Sequence, residues 1–186
     1  MGYYWLLTFE HAVELHALVK GCQQSIDPTY FDLTTADGLH LTLDRIAHDG
    51  EASHDLLDSI GAAARDACRR QPSFTLTIGH LTNLRGAIGF IASPHEMVHA
   101  LRDRLRAATR SIYPDAPVKG SASNPHVTVA YPVFEGLAEK AAATAEKAGS
   151  TLERVDVTVT EVVMVALERH SRSYQWDVVS RIRLSG

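Results

Sequence analysis

Residues 37–46 read DGLHLTLDRI, and residues 124–132 read NPHVTVAYP. Side chains alternate between the faces of a strand, so His40 and Thr42 share one face while Leu39, Leu41 and Leu43 share the other. His126 and Thr128 repeat the arrangement, with Val127 and Val129 behind them. Each segment is therefore predicted to be a half-buried strand: its apolar face belongs to the core, and its His/Thr pair faces something else.

Outward from these segments the pattern breaks into short elements. YYWLLTF at 3–9 has the apolar, aromatic character of a buried strand, and EHAVELHALVKGC at 10–22 has helical spacing up to Gly21. Ser53 is placed to cap a helix running to about Arg70, with Pro72 stopping it. SFTLTIGHL (73–81) alternates as a strand with one buried face, and GAIGFIAS (86–93) is its expected neighbour across TNLRG. A helix is predicted from Pro94 to about Arg110, followed by the polar loop YPDAPVKGSASNP (113–125) into the second motif. EGLAEKAAATAEKAG (135–149) has the Glu/Lys spacing of a solvated helix, and RVDVTVTEVVMVAL (154–167) and SYQWDVVSRIRL (173–184) read as two closing strands.

The order motif, helix, strand, turn, strand thus occurs twice, with an approximate midpoint near Pro94. The expectation is an α+β fold over 1–186: a single bilobal domain in which two antiparallel sheets with flanking helices meet, pseudo-twofold, around a central cleft. A chain of 186 residues with 45% apolar and 22% charged residues is long enough to bury such a core. The net charge of −4 argues against a protein that coats long double-stranded nucleic acid, which needs a basic surface to displace counterions. A small anion or an RNA end fits that charge. No apolar run reaches the roughly 20 residues of a membrane span, and the start MGYYWLLTFE lacks a basic secretory n-region. Leu6 stands where a myristoylation signal has Ser or Thr. Cys22 and Cys68 are far apart and suggest neither a disulfide framework nor a thiolate metal site. The chain reads as cytoplasmic, with no membrane partner, and as a monomer whose bilobal unit completes its own site.

A bare H-x-T triplet carries little information, and a third one occurs at His80–Thr82. Requiring apolar residues on both sides of the threonine cuts the chance expectation to about 0.15 per chain of this composition, so two such sites are a signal. The third copy fails at Asn83, and His80 shares parity with Phe74, Leu76 and Ile78, as a strand-end or partly buried histidine would. One histidine on a strand is ordinarily a hydrogen-bonded structural residue. Two imidazoles and two hydroxyls facing one cavity supply a base, an acid and two donors, the set that phosphoester cleavage uses.

HLTL and HVTV, in this order and with these intervening elements, resemble the paired H-x-T-x signatures of the two-histidine (2H) phosphoesterases, and in particular their RNA 2',3'-cyclic phosphodiesterase or 2'-5' RNA ligase family. The resemblance spans nearly the whole chain. It implies a bilobal fold with one motif from each lobe, and metal-free hydrolysis of 2',3'-cyclic phosphates of nucleotides or RNA 3' ends, without a cofactor. It also implies 2'-5' RNA ligase activity. One histidine would activate water, the other would protonate the leaving ribose oxygen, and both threonines would hold the phosphate. Those roles fall on His40, Thr42, His126 and Thr128, with His126 as base and His40 as acid if a 2'-phosphate forms. Members that process RNA often carry an aromatic residue five after the first histidine and an arginine five after the second. Here Arg45 and Tyr131 stand as if exchanged, as candidate substrate-binding residues.

A rival constellation is HEMVH at 95–99, an H-E-x-x-H of the kind that binds zinc in hydrolases. Ser93, Pro94 and Glu96 instead read as the N-cap, N1 and N3 of a capping box, and the longer zinc pattern fails at Arg102 and Leu105. Lys119 precedes the second motif and is a weaker candidate for phosphate. Arg85 and Arg169 lie in equivalent strand-strand turns, and Trp5, Tyr174 and Trp176 are aromatics able to stack a base, though strand aromatics are more often core. Three readings follow: a metal-independent cyclic phosphodiesterase, a zinc hydrolase on His95 and His99, and a nucleotide or RNA-end binding protein with little turnover.

Overall fold

Both motif segments are strands, one in each of two sheets. The computed structural model describes residues 2–118, 124–150, 152–169 and 174–185. Its elements run β1 (Gly2–Thr8), α1 (Val13–Gln23), β2 (Phe31–Leu33), a 3-10 turn (Ala36–Gly38), β3 (His40–His48), α2 (His54–Ala67), β4 (Phe74–Leu84), β5 (Ala87–Ser93), α3 (His95–Ile112), β6 (His126–Pro132), α4 (Ala138–Gly149), β7 (Val155–Val159), β8 (Glu161–Arg169) and β9 (Tyr174–Arg183). The first sheet has the order β3-β1-β8-β9 and the second β2-β6-β5-β4-β7, with antiparallel pairing throughout. This is the mixed α+β architecture of two antiparallel sheets that the sequence predicts.

The sheets interleave along the chain. β1 and β3 come from the start and are joined by β8 and β9 from the end, while the second sheet takes its strands from the middle. The midpoint near Pro94 thus marks a repeat in sequence and not a boundary in space. The expected closing strand at 154–167 is in fact two strands. β7 alternates and pairs with β4, whereas β8 is buried on both faces between β1 and β9. Thr160 makes the crossing, its carbonyl accepting the Leu184 N–H at 2.8 Å. β2, of three residues, is too short to show a period and is absent from the sequence-based expectation.

Leu39, Leu41, Leu43, Val127 and Val129 are all buried in the main core, as the alternation requires. Trp5 lies there too, fully buried, with Nε1–H donating to Thr109 Oγ1 at 3.0 Å, so it stacks no substrate. A smaller cluster of Tyr4, Leu6, Val163, Val165 and Leu167, with Tyr174 and Trp176 against it, covers the opposite face of the first sheet. Ser53 caps α2, accepting the Leu56 N–H at 3.2 Å. The capping box expected at α3 does not form. Ser93 ends β5 opposite Thr77, and Pro94 is an N-cap without a side-chain bond. α4 is not wholly solvated: Ala141, Ala145 and Ala148 are buried on its inner face. His80 is exposed at a bulge within β4, with φ 53°, instead of half-buried at a strand end. Among the described residues, no helix is long and apolar enough to cross a membrane.

Candidate active site

Each motif strand carries an extra residue directly after its threonine. In β3, Leu6 pairs with Thr42 and Trp5 with Asp44, leaving Leu43 extra. In β6, Gly89 pairs with Thr128 and Ile88 with Ala130, leaving Val129 extra. A β-bulge of this kind shifts the alternation by one. The residue five after each histidine, which plain alternation sends to the far face, therefore shares the histidine's face. Tyr4, Leu6 and Thr8 oppose Arg45, Thr42 and His40 in register, and Asp32 of β2 opposes Tyr131. Close approach makes the second bulge: a Cβ on Gly89 would stand 2.6 Å from the Val127 carbonyl and 3.1 Å from Thr128 Cα.

The two histidines are held alike. His40 Nδ1 lies 2.9 Å from the Gly38 carbonyl, and His126 Nδ1 lies 2.8 Å from the Asn124 carbonyl. A carbonyl only accepts, so both rings carry their proton on Nδ1 and present Nε2 for chemistry. The environments differ. His40 is 9% exposed, with Trp176 and Tyr174 set edge-on at ring distances of 5.3 and 6.0 Å. Burial pushes its pKa below the ordinary imidazole value, the Gly38 hydrogen bond opposes this, and the charge of nearby His126 adds to the lowering. Burial thus favours the neutral form of the His40 imidazole.

His40, Thr42, Arg45, His126 and Tyr131 all line one cleft of about 380 Å³. Thr42 is exposed, whereas Thr128 is 9% exposed and is not part of the cavity wall. Arg45 is oriented by Tyr4: its Nε donates to the tyrosine hydroxyl at 2.9 Å, and the guanidinium lies 5.3 Å from the ring centroid. Tyr131 packs against Tyr174 with centroids 5.1 Å apart. Tyr174 thus lines the cleft, whereas Trp176 packs against His40 from outside its wall. Lys119 lies outside the described residues. Arg85 occupies the exposed β4–β5 turn with φ 58°. At the rim, Asp44 is almost fully buried and paired with Arg106 of α3 at 2.6 Å, which fastens edge strand β3 to that helix.

Sequence reasoning missed Tyr4 as the support for Arg45, because the pairing of β1 with β3 that sets the two opposite each other leaves no local sign. It also missed His99 and Arg102 as cleft-lining residues. The H-E-x-x-H histidines sit with ring centroids 6.3 Å apart. Among the described residues, no group of three or more His, Cys, Asp or Glu side chains could hold a metal. A larger hollow of about 1010 Å³ between the start of α1, β7 and the end of β9 contains neither motif histidine.

Residues 10–171 match the 2'-5' RNA ligase superfamily. No curated protein matches the chain. Among solved structures, TT0787 of Thermus thermophilus is similar with a TM-score of 0.76 and 16% identity, covering 100% of this chain and 99% of that one. A structure described only as a phosphoesterase is similar with a TM-score of 0.72 and 20% identity, covering 100% and 98%. E. coli LigT complexed with 3'-AMP gives a TM-score of 0.70 and 19% identity, covering 100% and 98%.

Proposed function

The chain belongs to the 2'-5' RNA ligase superfamily, a group of phosphoesterase and ligase enzymes, and from that membership we propose that it hydrolyses 2',3'-cyclic phosphates of nucleotides or RNA 3' ends without a metal. The observation that carries this reading is the mirrored pair of histidines. Each commits Nδ1–H to a carbonyl two residues back, and each faces the same cleft with Nε2 unused by that bond.

In the proposed reaction a water oxygen bonds to phosphorus while its proton passes to Nε2 of His126. The bond from phosphorus to the ribose 3' oxygen breaks, and that oxygen takes a proton from Nε2 of His40, leaving a 2'-phosphate. Thr42 and Arg45, both in the cleft wall, donate to the phosphate oxygens. A ribose 5'-hydroxyl in place of water gives a 2'-5' phosphodiester by the same two proton transfers. Burial disfavours the imidazolium at His40 and an adjacent anionic phosphate favours it, so the substrate itself supports the protonated acid. Tyr131 and Tyr174, in the cleft wall, are the aromatic residues able to stack a base. LigT, the protein of that structural likeness, holds 3'-AMP, which is in keeping with a nucleotide ligand here.

The test is turnover of adenosine 2',3'-cyclic phosphate and of a short RNA ending in a cyclic phosphate, in EDTA, with products resolved as 2'- or 3'-phosphates. Conversion to 2'-phosphate is the expected outcome. A requirement for added zinc, lost on changing His95 or His99, would support the metal hydrolase instead. Tight nucleotide binding without product would make the chain a binding protein.

A further inference from the structure

A third histidine walls the cleft, and its ring nitrogen has no partner. Nε2 of His99 is buried without a hydrogen bond, one of two such side-chain atoms among the described residues. Leaving a buried polar atom unpaired is costly, so native proteins keep few of them. Arg102 lies one turn further along α3, lines the same cavity and is itself largely buried, with 16% of its side chain exposed. Its Nε meets the exposed carboxylate of Asp103 at 3.2 Å. Residues three apart on a helix share a face, so the imidazole and guanidinium are neighbours on the α3 side of the cleft. The cation of Arg102 beside the imidazole points to an anion as the ligand.

We propose that His99 and Arg102 form a second phosphate subsite in the cleft, which takes a further phosphate of the substrate beside the cyclic phosphate held by the two motif histidines. The proposal rests on the cyclic-phosphodiesterase reading and narrows its substrate class. The preferred substrates are 2',3'-cyclic phosphates that also carry a 5'-phosphate or a phosphodiester on the 5' side, over simple nucleoside cyclic phosphates. A guanidinium and an imidazole N–H both donate to phosphate oxygens in charge-assisted bonds. The χ2 torsion of histidine is broad and roughly two-fold, so a small ring rotation brings the nitrogen to a ligand in the cavity that the ring walls.

The experiment compares product-like nucleotides, so it does not depend on turnover. Affinities of adenosine 2'-monophosphate and adenosine 2',5'-bisphosphate are measured by calorimetry for the wild type, His99→Leu and Arg102→Gln. The wild type should bind the bisphosphate at least about tenfold more tightly, as one charge-assisted contact allows, and each variant should bring that ratio close to one. On the wild type alone, ring nitrogen-15 resonances give a second readout: the bisphosphate should shift His99 Nε2, and the monophosphate should not. A wild-type ratio near one, or a full ratio persisting in both variants, overturns the subsite while leaving the cleft a nucleotide site. If the wild type binds neither nucleotide, the nucleotide reading of the cleft falls, and the subsite with it.

Discussion

At the scale of single residues, the proposed acid and base differ in their surroundings: His40 is buried and His126 is partly exposed. That His40 is the buried one follows from Trp176 and Tyr174, which arrive from the far end of the chain and give no local sign of it. The lowered pKa of His40 makes a prediction in two parts. Its ring should titrate below about 6.5, the ordinary imidazole value, in the empty protein, and the midpoint should rise when adenosine 2'-monophosphate binds. Proton-detected NMR of the ring through a pH series checks both, and a midpoint that ignores the nucleotide would remove His40 as the acid. The sign for stability follows from the same shift. Folded His40 is harder to protonate than the unfolded residue, so its contribution is lost as pH falls below about 6.5 towards its lowered value. Arg45 makes a second prediction. Tyr4→Phe removes the hydroxyl that accepts from Arg45 Nε and should raise KM several-fold with little change in kcat, as expected of a group that positions a phosphate contact.

At the scale of elements, plain strand alternation would send the residue five after each histidine to the far face, and the bulges bring Arg45 and Tyr131 to the cleft instead. A bulge inserts one residue without a reliable sequence mark, so the faces of Arg45 and Tyr131 emerge only from the register of β1 and β5. Gly89 is the nearest thing to such a mark, because the chain passes too close there for any side chain. Gly89→Ala should force β5 and β6 apart, cost about 1–3 kcal/mol and displace Thr128, lowering both thermal stability and turnover. Wild-type stability in that variant, read by denaturant unfolding, would contradict the close-packed bulge. The division of residues 155–169 into β7 and β8 was hidden for another reason. Both pieces are rich in valine and no turn residue separates them, so the change from the alternation of β7 to the apolar run of β8 reads as one strand until their partners, β4 in one sheet and β1 in the other, are known.

At the scale of the whole molecule, the repeat in sequence revealed two sheets and a cleft, but not the interleaving that ties the end of the chain back to its start. With β8 and β9 completing the first sheet, neither lobe has a core made from a continuous stretch, and the domain should unfold as one cooperative unit. Trp5 in the main core and Trp176 against His40 provide probes in separate places. Fluorescence of single-tryptophan variants and far-ultraviolet circular dichroism should give coincident thermal transitions, and separated transitions would mean independent lobes. The same interleaving brings one histidine from each sheet to a shared cleft, and the proposed chemistry depends on both. The most direct measurement is the turnover number for adenosine 2',3'-cyclic phosphate in EDTA for the wild type, His40→Ala and His126→Ala. Each alanine should lower it by about 100- to 10,000-fold, the range for losing one general acid or base. Near wild-type turnover in either variant would contradict the two-histidine account.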